Sequence, residues 1–323
     1  SSGKPRLLES MLCQTGARER RADGIRIFGD TSPEAKAREM GTEINIADVT
    51  FMDDPYTFID CPGSIELLQE AYSALPMMDA AVVVTESASD KIMGLAPVLK
   101  VLEDLNVPRF IFVNKVDRAS GSIRELADAL GKVSGVPIVL RHLPLRKGND
   151  VTGYVDLASA RAYAYQKQDE SDRVDLPSDY TEQAEHARFS MLETLADFDE
   201  HLLEELLEDV VPAKEEVYKD LSDDFRKGLI VPVLIGSALN ENGVHRLLKA
   251  IRHEVPGVNA LNERLGVEEN GPPLAYVFKT HFMPHLGKVS IARLLRGSVK
   301  EGDAFNGNRP SGLFKVLGEK ADK

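Results

Sequence analysis

Short β-favouring runs alternating with helical stretches constrain this chain more than any other feature. "AAVVVT" (residues 80–85) and "RFIFVN" (109–114) are separated by the helical stretch "GLAPVLKVLEDLN". "VPIVLRHLPL" (136–145) and "LIVPVLIGSA" (229–238) add two more strand candidates. Strands interleaved with helices predict a mostly parallel sheet covered on both faces, an α/β architecture. In such sheets ligands sit beyond the carboxyl ends of the strands, where "NKVD" (114–117) and "GSA" (236–238) both fall. Upstream, "INIADVTFM" and "YTFID" flank the turn "DDP" and predict a hairpin.

Between Gly148 and Leu229 the rhythm changes. "VTGYVDLASARAYAYQKQ" reads as strands, "DLPSDYTE" as turns, and about Gln183 to Val211 as one long helix. Phe189, Leu192, Leu195, Leu203, Leu206 and Val210 recur along it at helical spacing, and its other positions are rich in Glu and Asp. "RHEVPGVNALNERLGVEENGPP" carries the prolines and glycines of a linker. The following "LAYVFKTHFMPHLGKVSIARLLRGSVKEGDAF" alternates apolar and polar residues as a β-barrel module does. It has too few strands to close a barrel by Lys323, so the chain is expected to be a fragment cut within its second domain.

Charge and cysteine usage narrow the partners. A net charge of −13 argues against a broad basic face for nucleic-acid phosphates and against sequence-specific nucleic-acid binding. Arg18, Arg20 and Arg21 make only a small basic cluster. Cys13 and Cys61 show no metal spacing, which predicts a reducing cytoplasm. No apolar run approaches membrane-spanning length, so no membrane partner is expected, and the opening residues show no secretory signal pattern.

The motifs carry a specific chemistry. Guanine presents two adjacent donors, which a carboxylate can meet in one plane, and Asp117 is placed after a strand to do so. A site built on such hydrogen bonds rejects the wrong base by roughly 10⁴-fold or more, because polar groups are then left unpaired. Asn114 would contact the base edge and tie neighbouring loops together, and the stem of Lys115 would lie along the base. The small residues Gly236, Ser237 and Ala238 would let backbone N–H groups approach a base oxygen. In "DCPGS" (60–64), Asp60 could hold magnesium through water and the Gly63 N–H could donate to a terminal phosphate. In "SSGKPRLLESML", Gly3 and Lys4 are placed like the end of a phosphate-binding loop running into a helix, with Lys4 meeting the phosphates.

Taken in order, these motifs resemble a translational GTPase, specifically the elongation factor G family. "LLESMLCQTGA", "FIDCPGS", "LPMMDAAVVV", "VPRFIFVNKVDR", "VTGYVDL" and "GLIVPVLIGSALNENGVHRLLKAI" follow that family's GTP-binding domain in order. The resemblance implies a P-loop-type doubly wound GTP-binding domain over residues 1–257, with an inserted α+β subdomain over about 149–228. A linker over 258–272 and the start of a β-barrel domain over 273–323 would follow. It implies GTP or GDP and Mg²⁺ as cofactors, the ribosome as partner, GTP hydrolysis coupled to translocation, and the acidic inserted helix as a contact for ribosomal stalk proteins. A release-factor or ribosomal-protection GTPase is the neighbouring alternative.

Three positions depart from the family pattern. Pro5 replaces a Thr or Ser whose hydroxyl holds magnesium. The switch segment, usually Arg-Gly-Ile-Thr, reads Met40, Gly41, Thr42 and Glu43, so that a carboxylate stands where a metal-binding hydroxyl is usual. Glu43 could ligate the metal in its place or repel the terminal phosphate. Ser64 occupies the position of a water-orienting histidine, with shorter reach and no imidazolium. The expectation is guanine recognition retained and hydrolysis impaired, with Lys4 and Ser64 left on the catalytic side.

Overall fold

A computed structural model of the chain describes residues 2–18, 41–118, 122–166, 169–283, 287–317 and 320–322. Met40, Arg20 and Arg21 lie outside the described residues. The chain divides into two compact units, one of residues 2–19 and 80–255, the other of residues 20–79 and 256–323.

In chain order, α1 (Lys4–Gln14) opens at Gly3, and Pro5 sits in its first turn, where a missing N–H removes no intrahelical bond. β1 (Asn45–Phe51) and β2 (Asp54–Asp60) form the expected hairpin. Its turn is Met52-Asp53, with φ of 50° and 69°; positive φ at both positions is what a two-residue turn needs to follow strand twist. Next come α2 (Leu68–Ala74), β3 (Ala81–Thr85), α3 (Ala96–Asp104), β4 (Arg109–Val113), α4 (Ile123–Gly131) and β5 (Ile138–Leu140). Ser122 and Glu125 form a reciprocal capping box at the start of α4. Then follow β6 (His142–Lys147), β7 (Asp150–Asp156), β8 (Arg161–Ala164), β9 (Asp172–Val174), α5 (Thr181–Ala196), α6 (Glu200–Leu207) and α7 (Lys214–Arg226). β10 (Val231–Ile235), α8 (Val244–Glu254), α9 (Val258–Leu265), β11 (Leu274–Met283), β12 (Gly287–Arg296), β13 (Lys315–Leu317) and β14 (Lys320–Asp322) follow, and a short helix, Ser89–Met93, lies between β3 and α3.

The first unit is built on the parallel sheet β3-β4-β10-β5, as the alternation predicts. β4 and β10 are central neighbours and buried throughout, which is why both read as unbroken apolar runs rather than alternating ones. "VPIVLRHLPL" is not one strand. It divides at Arg141 into β5 of the parallel sheet and β6 of a second, antiparallel sheet ordered β6-β7-β8-β9.

A buried ionic network joins that second sheet to the helices around it. Arg141 pairs with Glu254 at 2.7 Å and Arg246 with Asp156 at 2.5 Å, while Arg246 also donates to the Tyr218 hydroxyl at 2.8 Å. Burial opposes ionisation of Asp156, but Arg246 and then Arg141 prevail and hold its carboxyl below the ordinary range. Beside them His142 is driven down to about 3, chiefly by burial, and stays neutral.

The predicted long helix from Gln183 to Val211 is two helices. The Asp199 carboxylate accepts from the N–H groups of His201 and Leu202, so it caps α6 and ends continuity with α5. Leu192 and Leu195 are buried as expected, but Phe189, Leu203 and Val210 are exposed.

In the second unit, Ile44, Ile46, Ala74, Phe278 and Ile291 form one apolar cluster, and Met77, Leu261 and Leu295 another. β11 and β12 pair antiparallel, as do β13 and β14, in keeping with a β-rich module. Within the segment expected as a linker, residues Val258–Leu265 are helical, with Leu261 buried and Gly266 at φ 64° closing the helix.

Candidate functional site

Asn114, the first residue after β4, is 3% exposed and its side chain is spent entirely on neighbouring loops. Its Nδ2 donates to the Ser2 carbonyl at 2.9 Å, and its Oδ1 accepts from the Ala238 N–H at 2.8 Å. Its own N–H donates to the Thr85 carbonyl at 2.8 Å. One side chain therefore ties the loop entering α1 to the loop leaving β10, and its backbone ties both to the end of β3. Gly3 is required by this arrangement. Its φ is +85°, and a Cβ there would lie 2.5 Å from Asn114 Nδ2.

The two strand-end motifs also bond to each other. Gly236 N–H donates to the Val113 carbonyl at 3.0 Å, and Val116 N–H donates to the Gly236 carbonyl at 3.1 Å. Ser237 and Asn242 exchange a pair of backbone bonds at 2.9 and 3.0 Å, closing the loop into a short bridge. Gly236 has no room for a side chain: a Cβ would meet the Asn242 carbonyl at 2.3 Å and the Phe112 ring at 2.6 Å. The N–H groups of Gly236, Ser237 and Ala238 are thus donated to Val113, Asn242 and Asn114. In this structure, small residues there hold the loop and Asn114 in place rather than leaving those N–H groups for a base oxygen.

Lys115 adopts φ +59°, a left-handed conformation uncommon for residues with a side chain. Its ammonium reaches Glu86 Oε1 at 2.7 Å, and Glu86 directly follows β3. Asp117 lies in the 3₁₀ turn Val116–Arg118 and is half-buried. Lys4, also half-buried, opens α1. Gly3, Lys4, Asn114, Lys115, Asp117, Ser237 and Ala238 all belong to the unit built on the parallel sheet, whereas Glu43, Asp60, Gly63 and Ser64 belong to the other.

In that other unit, Asp60 ends β2 opposite Asn45, and the Ser64 carbonyl accepts from Leu67 N–H at 3.0 Å to start the 3₁₀ turn leading into α2. Glu43 is held by an ammonium. Lys279 of β11, whose side chain is 8% exposed, places its Nζ 2.8 Å from Glu43 and 2.7 Å from Glu70. Burial pushes the Lys279 amine down, but hydrogen bonds to Glu43 and Glu70 outweigh it and hold the group above the ordinary lysine range. These residues fit magnesium poorly. Pro5 offers neither hydroxyl nor N–H, and the Glu43 carboxylate already neutralises a lysine.

Sequence reasoning missed Glu86, Asn242 and Lys279. Glu86 stands at the carboxyl end of a predicted strand, the place where ligand-facing groups gather, so that rule could have flagged it. Nothing in the sequence ties Lys279 to Glu43.

The chain matches the family of the elongation factor Tu GTP-binding domain over residues 1–257, and it belongs to that family. Within it the chain is a divergent, elongation factor G-like member. It is 40% identical over 322 residues to an elongation factor G-like protein of Synechocystis sp. (strain ATCC 27184 / PCC 6803 / Kazusa), covering 98% of this chain and 48% of that protein. It is 27% identical to elongation factor G 1 of Borreliella afzelii (strain PKo), covering 91% of this chain and 44% of that one. A crystal structure of a protein from Thermus thermophilus superposes with a TM-score of 0.85 at 32% identity, covering all of this chain and 48% of that one. The chain spans about half the length of these relatives. Among the described residues, no helix is long and apolar enough to cross a membrane.

Proposed function

We propose that this chain binds GTP and GDP and acts on the ribosome as the nucleotide-dependent part of an elongation factor G-like translation factor, with hydrolysis coupled to translocation. Asp117 would meet the paired donors of guanine, with Lys115 along the base. Gly3 and Lys4 would face the phosphates, and the Gly63 N–H would donate to the terminal phosphate. The observation that carries this reading is the Asn114 clamp, which holds the Gly-Lys loop and the Ser-Ala loop on either side of the Asn-Lys-x-Asp turn. The inserted subdomain supports contact with ribosomal stalk proteins, because exposed Leu207 and Val211 stand among acidic residues there. The reading places the protein in the cytoplasm, away from membranes and without sequence-specific nucleic-acid contacts.

A second reading, in which nucleotide is bound but hydrolysed slowly, is favoured by the Glu43–Lys279–Glu70 cluster together with Pro5 and Ser64. Loss of a water-positioning or charge-stabilising group slows such chemistry by orders of magnitude. Calorimetry with GDP and a non-hydrolysable GTP analogue, with and without magnesium, tests binding; no affinity for either refutes both readings. Single-turnover hydrolysis on ribosomes, for the wild type and Ser64→His, separates them. A wild-type rate equal to that of ordinary translocases rejects slow turnover, and acceleration in Ser64→His supports it.

A further inference from the structure

Helices α6 and α7 of the inserted subdomain carry a ligand set for which the nucleotide reading has no use. His201 and Glu205 stand four residues apart on α6, so their side chains share a face. Glu216 enters from the first turn of α7. One imidazole nitrogen and one oxygen from each carboxylate lie within 4.8 Å of one another, with His201 Nε2 3.4 Å from Glu216 Oε1. Among the described residues, no lysine or arginine forms an ion pair with Glu205 or Glu216.

A second observation points to a missing cation. The Oε2 atom of Glu205 is buried and has no hydrogen-bond partner among the described residues. Buried carboxylate oxygens are ordinarily satisfied, so the orphaned Glu205 Oε2 marks a place where a positive group is wanted.

We propose that His201, Glu205 and Glu216 form a divalent transition-metal site joining α6 to α7. One imidazole and two carboxylates are a mixed nitrogen–oxygen set suited to zinc, cobalt or manganese, whereas magnesium and calcium favour oxygen-only shells. Three protein ligands leave a coordination position open. His201 has its side chain 68% exposed, so water can reach the site.

Calorimetric titration of the chelator-treated chain with Zn²⁺ alone tests the site, alongside Mg²⁺. Saturable Zn²⁺ binding at one equivalent is expected, weakened at least tenfold by each of His201→Ala, Glu205→Gln and Glu216→Gln, while His186→Ala leaves it unchanged. The two Gln variants keep side-chain shape, and circular dichroism of each confirms that the helices persist. Zn²⁺ should raise the thermal midpoint of the wild type and of His186→Ala, but not of Glu205→Gln. Equal Zn²⁺ affinity across all variants, no binding at one equivalent, or Mg²⁺ binding as tightly as Zn²⁺ would overturn the assignment.

Discussion

Replacing Asn114 by alanine tests whether one side chain holds the nucleotide-facing loops together. Asn114 is 3% exposed, and its amide makes two bonds, to Ser2 at 2.9 Å and from Ala238 at 2.8 Å. Each such bond contributes about 1 kcal/mol net, and stranding the buried Ala238 N–H costs a further ~1–3 kcal/mol. The expected loss is therefore about 3–5 kcal/mol. Urea denaturation followed by far-UV circular dichroism, without nucleotide, measures it as a fall in the midpoint at unchanged slope. Asn114→Asp sharpens the test. It keeps an acceptor for Ala238 but loses the donor to Ser2 and sets a carboxylate against that carbonyl, so it should also destabilise. If Asn114→Ala cost less than about 0.5 kcal/mol, the loops would be held by something else and the clamp would carry no structural weight.

Two further substitutions probe the inserted subdomain. Asp156→Ala removes the carboxylate partner of Arg246 at 2.5 Å and a counter-charge near Arg141, so a loss of about 3–5 kcal/mol in thermal or urea unfolding is expected; a loss under about 1 kcal/mol would refute the network's role. The Asp224 carboxyl is pushed up to about 6, chiefly by burial and, against the pull of Lys227, by Asp220. The folded state thus holds its proton more tightly than the unfolded chain does, so stability is highest below about pH 4 and falls as pH rises through about 6. Asp224→Asn should then be about 1–3 kcal/mol more stable than wild type at pH 8 and show no gain at pH 4; a gain that ignores pH would contradict the assignment.

The parallel sheet was legible because β4 and β10 are buried on both faces and so write uninterrupted apolar runs. The strand ends then located Asn114, Lys115, Asp117, Ser237 and Ala238 without any knowledge of tertiary contacts. The division of the acidic helix was not legible, since a hydrophobic period continues through Asp199 while the break depends on that carboxylate choosing two backbone donors. The helix Val258–Leu265 was hidden by the prolines and glycines on either side, which are as compatible with capping a short helix as with a linker. Glu43 was read as a metal or phosphate-facing group because its partner, Lys279, comes from a strand that only the fold brings near.

These structural duties bear on what the Asn-Lys-x-Asp sequence can prove. Asn114 holds the loops on either side of the turn whether or not a nucleotide binds, so choosing the base falls to Asp117. Asp117 has a distinct role in the proposal: its two acceptor oxygens are to meet the paired donors of guanine. Replacing it with asparagine keeps the size, removes one acceptor and adds a donor. That pattern no longer matches guanine, but it does match xanthine, which carries a carbonyl where guanine carries its amine. Affinity for GDP should fall by about 10³-fold or more, and affinity for xanthosine diphosphate should rise, because matched groups replace unpaired ones. Competition of both diphosphates against a fluorescent nucleotide reads the exchange directly, with the urea midpoint as a check that Asp117→Asn still folds. A folded variant that binds GDP as tightly as wild type would mean that Asp117 does not read the base.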